Sequence, residues 1–234
     1  AQWNSDHILM EELLKQLQER IQDGPCFSFS VSYQNHGPYE WKYTSGDSYL
    51  TPETTGFSDS TCNIWNNYLM RVSDTLSAIT DLVDGLEAME EPVVLVLFGD
   101  HKPWGGNGNT GYTELGCTFD LTTVQGFYDY FATPYLIWAN SAAKEVLGSD
   151  FTGDGGDFSP CFLMEEVFTQ CGWEGPGFMQ LAREMRALTP LVHEQGIYWK
   201  DGAPCYELTE EEQKIVTMYQ NVEYYREHTV EPEI

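Results

Sequence analysis

Apolar residues recur at helical spacing from the start of the chain. Leu9, Leu13, Leu17 and Ile21 fall on one face of a helix over 6–22, with Leu14 beside them. Glu11 stands four residues before Lys15, and Gly24-Pro25 supplies the stop. The period then changes to two. Phe27, Phe29, Val31 and Tyr33 alternate with Ser28, Ser30 and Ser32, which predicts a strand over 26–33 with Cys26 as a small buried hydrophobe. Residues 34–60 show no period, and a loop of that length is functional or mobile. Trp65, Leu69, Val72, Leu76, Ile79, Val83 and Leu86 then mark a helix over 62–88, capped by Ser60-Thr61. Its near-heptad spacing is short and isolated, which favours packing on a sheet over a coiled coil.

Val93-Val-Leu-Val-Leu-Phe98 is a continuous apolar run, the pattern of a strand covered on both faces in a parallel sheet. Pro134-Tyr-Leu-Ile-Trp-Ala139 is a second such run, and helices are expected at 140–147, 160–170, 176–187 and 209–226. Strand and helix in alternation indicate an α/β layered fold. The chain shows no internal repeat and no linker, so one domain is expected.

Composition adds limits. With 41% hydrophobic and 14% aromatic residues, a packed core is affordable. No stretch approaches the roughly 20 apolar residues of a membrane span. The chain opens on Ala1, so missing targeting segments say little about the parent protein. Eleven Lys and Arg against 37 Asp and Glu leave a net charge of −26, which repels nucleic-acid phosphates and excludes DNA or RNA as a partner. An anionic substrate can approach such a surface only where a metal or a local basic group reverses the field. None of the six cysteines forms a C-x-x-C pair, which argues against a structural zinc site.

Two segments carry candidate chemistry. Gly99-Asp100-His101 follows the buried run directly, at the strand end where open α/β sheets hold ligands. A carboxylate and a neutral imidazole there can share one divalent ion; the plain alternative is an aspartate capping a turn beside a packed histidine. Asn35-His36-Gly37-Pro38-Tyr39 also follows a predicted strand, and His36 there either binds or protonates a phosphate oxygen or simply orders a turn. Other patterns fall short. Gly106, Gly108 and Gly111 match G-x-G-x-x-G with no convincing helix after them, so they mark a flexible loop. Asp150, Asp154 and Asp157 miss the EF-hand spacing, and no G-x-S-x-G elbow is present. His7, His193 and His228 default to surface or structural roles, and Arg71 with Asp74 to a surface or capping pair.

Taken together, Phe27-Ser-Phe-Ser-Val-Ser-Tyr-Gln-Asn-His-Gly-Pro-Tyr39, Asn67-Tyr68-Leu69 with Asp74, Leu97-Phe98-Gly99-Asp100-His101 and Thr133-Pro134-Tyr135-Leu136-Ile137-Trp138 resemble the lipoteichoic acid synthase family of the sulfatase and alkaline phosphatase superfamily. Asp157-Phe-Ser-Pro-Cys-Phe-Leu-Met164 is similar to the late superfamily segment that leads into a helix, and Gln2-Trp3-Asn4-Ser5-Asp6 to a Trp-Gly-x-x-Asp motif at the start of this region. The resemblance covers most of 3–200. It implies a three-layer α/β/α alkaline-phosphatase-like sheet, with 1–234 as the C-terminal portion of a sulfatase-like catalytic domain.

By the same resemblance, Asp100 and His101 match two ligands of a single divalent metal, manganese or magnesium, with zinc common in relatives. His36 matches a catalytic and substrate-binding histidine near the phosphate and glycerol head group. Trp3 matches an aromatic lining that pocket. Lys102, next after the metal pair, is placed to contact an anion, although a solvent-facing lysine is the plainer reading. The implied reaction is phosphoglycerol transfer from a phosphatidylglycerol-like lipid, by attack of a metal-activated threonine, in cell-envelope polymer synthesis. That threonine and an acidic ligand would lie upstream of residue 1, so this chain alone is expected to be inactive. The parent is expected at the extracellular face of the cell membrane, anchored by upstream segments, and an open sheet edge invites self-association. Within the superfamily the alternatives are a sulfatase, a phosphodiesterase or a phosphoethanolamine transferase. The alternative of another class is a non-catalytic, acidic, cell-surface glycan-binding module using Tyr39, Trp41, Tyr43 and Tyr49.

Overall fold

Helix α1 spans Asp6–Arg20 and ends in a short tight turn, Ile21–Asp23, before Gly24 at φ 135°. The protein is described by a computed structural model over residues 5–40, 42–43, 48–193 and 195–229. The periodic positions Leu9, Leu13, Leu14, Leu17 and Ile21 are half-buried, as the amphipathic spacing requires. Their partner is the long helix α3, Asp59–Glu87, which follows the single-turn helix α2, Pro52–Thr55. Contact is close at Gly85, where an added Cβ would stand 2.3 Å from Leu14 Cδ2.

The cap of α3 is Ser58, whose hydroxyl accepts from the Thr61 N–H at 3.3 Å, two residues before the expected cap at Ser60. Burial along α3 does not follow one straight stripe. Ile64 and Trp65 pack into an aromatic cluster with Tyr39 and Tyr112, while Ala78, Leu82 and Leu86 are buried further along, in the half where Gly85 meets α1. Leu69 and Leu76, on the predicted stripe, are exposed because the two halves of the helix serve different packings.

The segment 26–33 forms no ladder with any described strand. Phe27, Phe29, Val31 and Tyr33 are all exposed, Phe27 by 80%, and so are the intervening serines and Cys26. The alternation is present, but a strand is defined by its neighbour, and none is described beside it. The expected burial of Cys26 fails for the same reason.

Strand β1, Val94–Phe98, pairs with β2, Tyr135–Ala139, from Val94 opposite Ala139 to Phe98 opposite Tyr135. The pairing is antiparallel, which corrects the parallel reading. An apolar run records cover on both faces and says nothing of its neighbour's direction. Here the chain leaves β1 at Phe98 and returns beside that end at Tyr135. Asn140, fully buried, ties the elements around this sheet. Its Oδ1 accepts from the N–H groups of Val93 and Ala143, both at 2.9 Å, and its Nδ2 donates to Leu86 O at 3.1 Å and Glu91 O at 2.9 Å. One side chain thus joins the end of α3, the start of β1 and the first turn of α6, Ser141–Leu147, the helix that follows the short α4, Thr110–Glu114, and α5, Val124–Phe131.

The chain divides into two compact units, 1–119 with 129–143 and 120–128 with 144–234, although the sequence shows no linker. The second unit packs α7, Leu163–Gln170, α8, Gly177–Leu188, and α9, Glu210–Thr229, around Phe162, Met185, Val216 and Tyr219. It adds an antiparallel meander of β3, Val192–His193, β4, Ile197–Lys200, and β5, Ala203–Cys205. Within it, buried Glu165 accepts from Arg183 at 2.9 Å and Arg186 at 2.8 Å. The described residues therefore form a two-stranded and a three-stranded sheet among helices, not a single layered parallel sheet. No described helix is long and apolar enough to cross a membrane.

Candidate active site

The loop after β1 starts by extending the ladder. Gly99 N–H donates to Pro134 O at 3.0 Å, and Thr133 Oγ1 donates to Gly99 O at 2.7 Å. A Cβ at Gly99 would stand 3.1 Å from that of Thr133, so the turn lies tight against the start of β2. Asp100 and His101 are thereby projected beyond the strand end, with side chains 73% and 60% exposed.

The His101 ring is oriented by its own loop. Its Nδ1 lies 2.8 Å from Lys102 O. A carbonyl can only accept, so Nδ1 carries the proton and neutral His101 presents Nε2 as a lone pair. That Nε2 is 3.6 Å from Asp100 Oδ2, while Asp100 Oδ1 accepts from the His101 N–H at 2.9 Å. Two donors about 2.1 Å from a common ion stand roughly 3.0–3.4 Å apart at octahedral to tetrahedral angles. The pair is within a few tenths of an ångström of that spacing, and one carboxylate oxygen with one imidazole nitrogen is a suitable donor set. The residues present fit part of a divalent site. Among the described residues no group of three metal-ligating side chains occurs.

His36 reaches the same place from another loop. Its ring and that of His101 meet edge to face, with centroids 6.0 Å apart and planes at 86°. His36 Nδ1 is 2.6 Å from Gly37 O, so the carbonyl argument again assigns the proton to Nδ1 and frees Nε2. Its other face stacks on Tyr33, at 4.7 Å and 12°. Gly37 makes the approach of the loops feasible, since a Cβ there would fall 2.4 Å from Trp104 Cβ. The Gly37-Pro38 peptide is cis.

Two buried phenols hold the loops from below. Tyr39 OH donates to Asn35 O at 2.7 Å, and Tyr112 OH donates to Pro103 O at 2.6 Å. Burial pushes both phenols up, Tyr112 to about 12. Arg71 lies over the Tyr39 ring, 5.2 Å from its centroid, and donates to Gln34 O at 3.3 Å and His36 O at 3.5 Å. Arg71 is thus a brace for the His36 loop, and Asp74 accepts from Gln34 at 2.7 Å. The expected surface pairing of Arg71 with Asp74 is not what the two residues do.

The remaining candidates fall into place. Lys102 is half-buried, and its carbonyl orients His101. Trp3 and Trp41 lie outside the described residues. Tyr39 is core, which removes it from any exposed sugar-stacking surface, whereas Tyr49 is exposed. A short helix, α4, does begin among the glycines, over Thr110–Glu114, after Gly106 and Gly108 and with Gly111 in its first turn. Gly106 and Gly111 serve packing, with a Cβ at Gly106 meeting Ile64 at 2.9 Å and one at Gly111 meeting Trp65 at 3.1 Å. Asp150 and Asp154 accept from the N–H groups of Thr152 and Gly156 at 3.1 and 2.9 Å, and Asp157 accepts from Tyr128 OH at 2.6 Å. His7 lies 3.4 Å from Asp74 and 3.8 Å from Asp81, a surface role. All six cysteines are free.

Sequence reasoning missed Tyr112, whose phenol holds the His101 loop through Pro103 O.

A carboxylate and two histidines, converging at a strand end with both Nε2 atoms unprotonated in the neutral rings, define a candidate centre for metal-assisted transfer or hydrolysis. The chain belongs to the Sulfatase family, whose sequence profile matches residues 1–161. Members of that superfamily generally use a divalent metal. A Rhizobium meliloti (strain 1021) protein named for cyclic beta-1,2-glucan modification is 28% identical over 178 residues, covering 74% of this chain and 26% of the relative. Capsular polysaccharide biosynthesis protein RkpI of the same strain is 29% identical over 99 residues, 42% of this chain and 16% of the relative. The chain thus spans about a quarter or less of these relatives' lengths. No solved structure matches.

Proposed function

We propose that this chain carries the metal- and head-group-binding part of a phosphoglycerol transferase that acts on a phosphatidylglycerol-like lipid to modify an envelope polysaccharide or related polymer, at the extracellular face of the membrane. The convergence of His36 with Asp100 and His101 is the observation that carries it, because a phosphodiester needs charge neutralised on its oxygens and a proton managed at the leaving oxygen. Membership of the Sulfatase family and the glycan-related names of the relatives support the reading.

Asp100 Oδ2 and His101 Nε2 would hold a divalent ion, manganese or magnesium. When bound, that ion supplies positive charge against phosphoryl oxygens. His36 acts from its Nε2. As neutral imidazole it accepts a proton there, and as imidazolium it donates one to a phosphoryl or leaving-group oxygen. Its Nδ1 is committed to Gly37 O in either state. With a chain charge of −26, metal and imidazolium are what make an anionic head group welcome.

The test is release of the glycerophosphate group from phosphatidylglycerol vesicles by the complete protein containing this region, with manganese. Activity lost on Asp100→Ala and on His36→Ala supports the reading. Turnover of a sulfate ester, or of a phosphoethanolamine lipid, with none of phosphatidylglycerol would overturn the head-group assignment and keep the scaffold.

A further inference from the structure

Asp6 is the most buried carboxylate among the described residues of the first unit, at 1% exposure, and it does no chemistry in the site just described. No ion pair accompanies it among the described residues. As the first residue of α1 it gains from the unpaired N–H groups of that turn. Its Oδ2 accepts from Thr75 Oγ1 at 2.6 Å and from Ser32 Oγ at 3.1 Å. Its own N–H donates to Gln34 Oε1 at 2.9 Å. Thr75 Oγ1 in turn accepts from Asn35 Nδ2 at 2.9 Å. Ser32, Gln34 and Asn35 are therefore all tied to Asp6 or Thr75, and the next residue is His36.

We propose that Asp6 and Thr75 are positioning residues of the candidate active site, fixing residues 32–35 so that the His36 imidazole is presented to Asp100 and His101. The proposal rests on the reading that these three act together. Packing alone does not call for this network. An apolar residue would fill the space under α1 without desolvating a carboxylate, and the cost of burying one is offset only where hydroxyl and amide donors converge on it. Those donors come from the stretch leading to His36 and from α3. The Thr75 hydroxyl is the hinge of the arrangement, since it spends its one proton on Asp6 and accepts from Asn35 in the same geometry.

The experiment uses the chain as it is, without metal or substrate. Thr75→Val keeps the β-branched shape and removes the hydroxyl's bonds to Asp6, Asn35 and Gln34; Thr75→Ser restores the hydroxyl. Nitrogen-edited NMR reads the His36 tautomer and the cross-relaxation between the His36 and His101 rings, with far-UV circular dichroism as the folding control. In Thr75→Val that cross-relaxation falls about threefold or more, the loss produced by a shift of roughly 1 Å, the looseness that disables a site. The Nδ1–H signature of His36 weakens with it, and Thr75→Ser recovers both. A folded Thr75→Val with unchanged ring contact overturns the proposal, as does a Thr75→Ser that fails to recover it. Should Thr75→Val not fold, Ser32→Ala removes one donor to Asp6 from the exposed segment. A weakened ring contact there upholds the proposal, and an unchanged contact overturns it. Loss of the ring contact in a protein that never binds manganese would leave the positioning role standing and remove the metal reading.

Discussion

His36 and His101 meet edge to face, with ring centroids 6.0 Å apart, although they sit on loops from different parts of the chain. Neither ring is free to rotate into that contact by chance. Each has its Nδ1 on the carbonyl of the following residue, Gly37 or Lys102. Each loop also has a buried tyrosine beneath it that donates to its backbone.

The distance between the loops is set at Gly37. In Gly37→Ala the new methyl would meet Trp104 Cβ at 2.4 Å, and neither backbone-borne group can yield without moving its loop. Overpacking of this kind costs about 1–3 kcal/mol. We expect urea unfolding to show that loss in the first unit, together with a weakened His36–His101 contact by NMR. A stable variant with the contact intact contradicts the placement.

Tyr39 and Tyr112 predict behaviour in alkali. Burial raises both phenols from 10.0, Tyr112 to about 12. A raised acid is neutral in the folded chain where the unfolded chain has already ionised. Its contribution is complete below pH 10 and is lost as pH rises through the folded value. The first unit should therefore destabilise from about pH 10 towards 12. Tyr39→Phe and Tyr112→Phe should each cost about 1 kcal/mol at neutral pH through the lost hydrogen bond, and each should flatten the alkaline decline. Denaturation curves at a series of pH values read both effects.

How much of this was legible in the sequence differs by element. The helix over α1 was, because five apolar residues at helical spacing fix both an element and its face. The placement of Gly99-Asp100-His101 at a strand end was, because a continuous apolar run that stops at a glycine and polar residues marks where a strand ends. The direction of β2 was not, since hydrophobicity is blind to it. The segment 26–33 shows the same limit from the other side, because alternation at Phe27, Phe29 and Val31 specifies a pleat and leaves its partner unnamed. The supports of the site were hidden for a different reason. Thr75 and Tyr112 act through contacts distant in sequence, and a lone threonine on a helix carries no local pattern.

The second unit offers an acid-side prediction. Burial pushes the Glu165 carboxyl up, but hydrogen bonds from Arg186, Thr169 and Arg183 outweigh it and hold it below the ordinary 4.5. A depressed carboxyl contributes stability that is present above its unfolded value and lost as pH falls through its folded one. Arg186 also pairs with Glu166 and lies over Phe158, 4.4 Å from the ring centroid. Arg186→Ala leaves buried carboxylates short of their cation, and should cost about 3 kcal/mol at neutral pH. The difference from wild type should shrink below pH 4.5, as Glu165 becomes protonated in the variant first. Equal stability at pH 7 would show that Arg183 alone suffices.

Paramagnetic broadening by substoichiometric manganese tests the central claim most directly, because a surface of charge −26 offers many weak places for a cation to land. The structure predicts early, selective loss of NMR signals from residues 99–102 and from the His36 ring, with that selectivity abolished in Asp100→Ala. Broadening centred on the Asp150–Asp157 loop, spread evenly over acidic side chains, or unchanged in Asp100→Ala would contradict the assignment of Asp100, His101 and His36 to one metal-dependent centre.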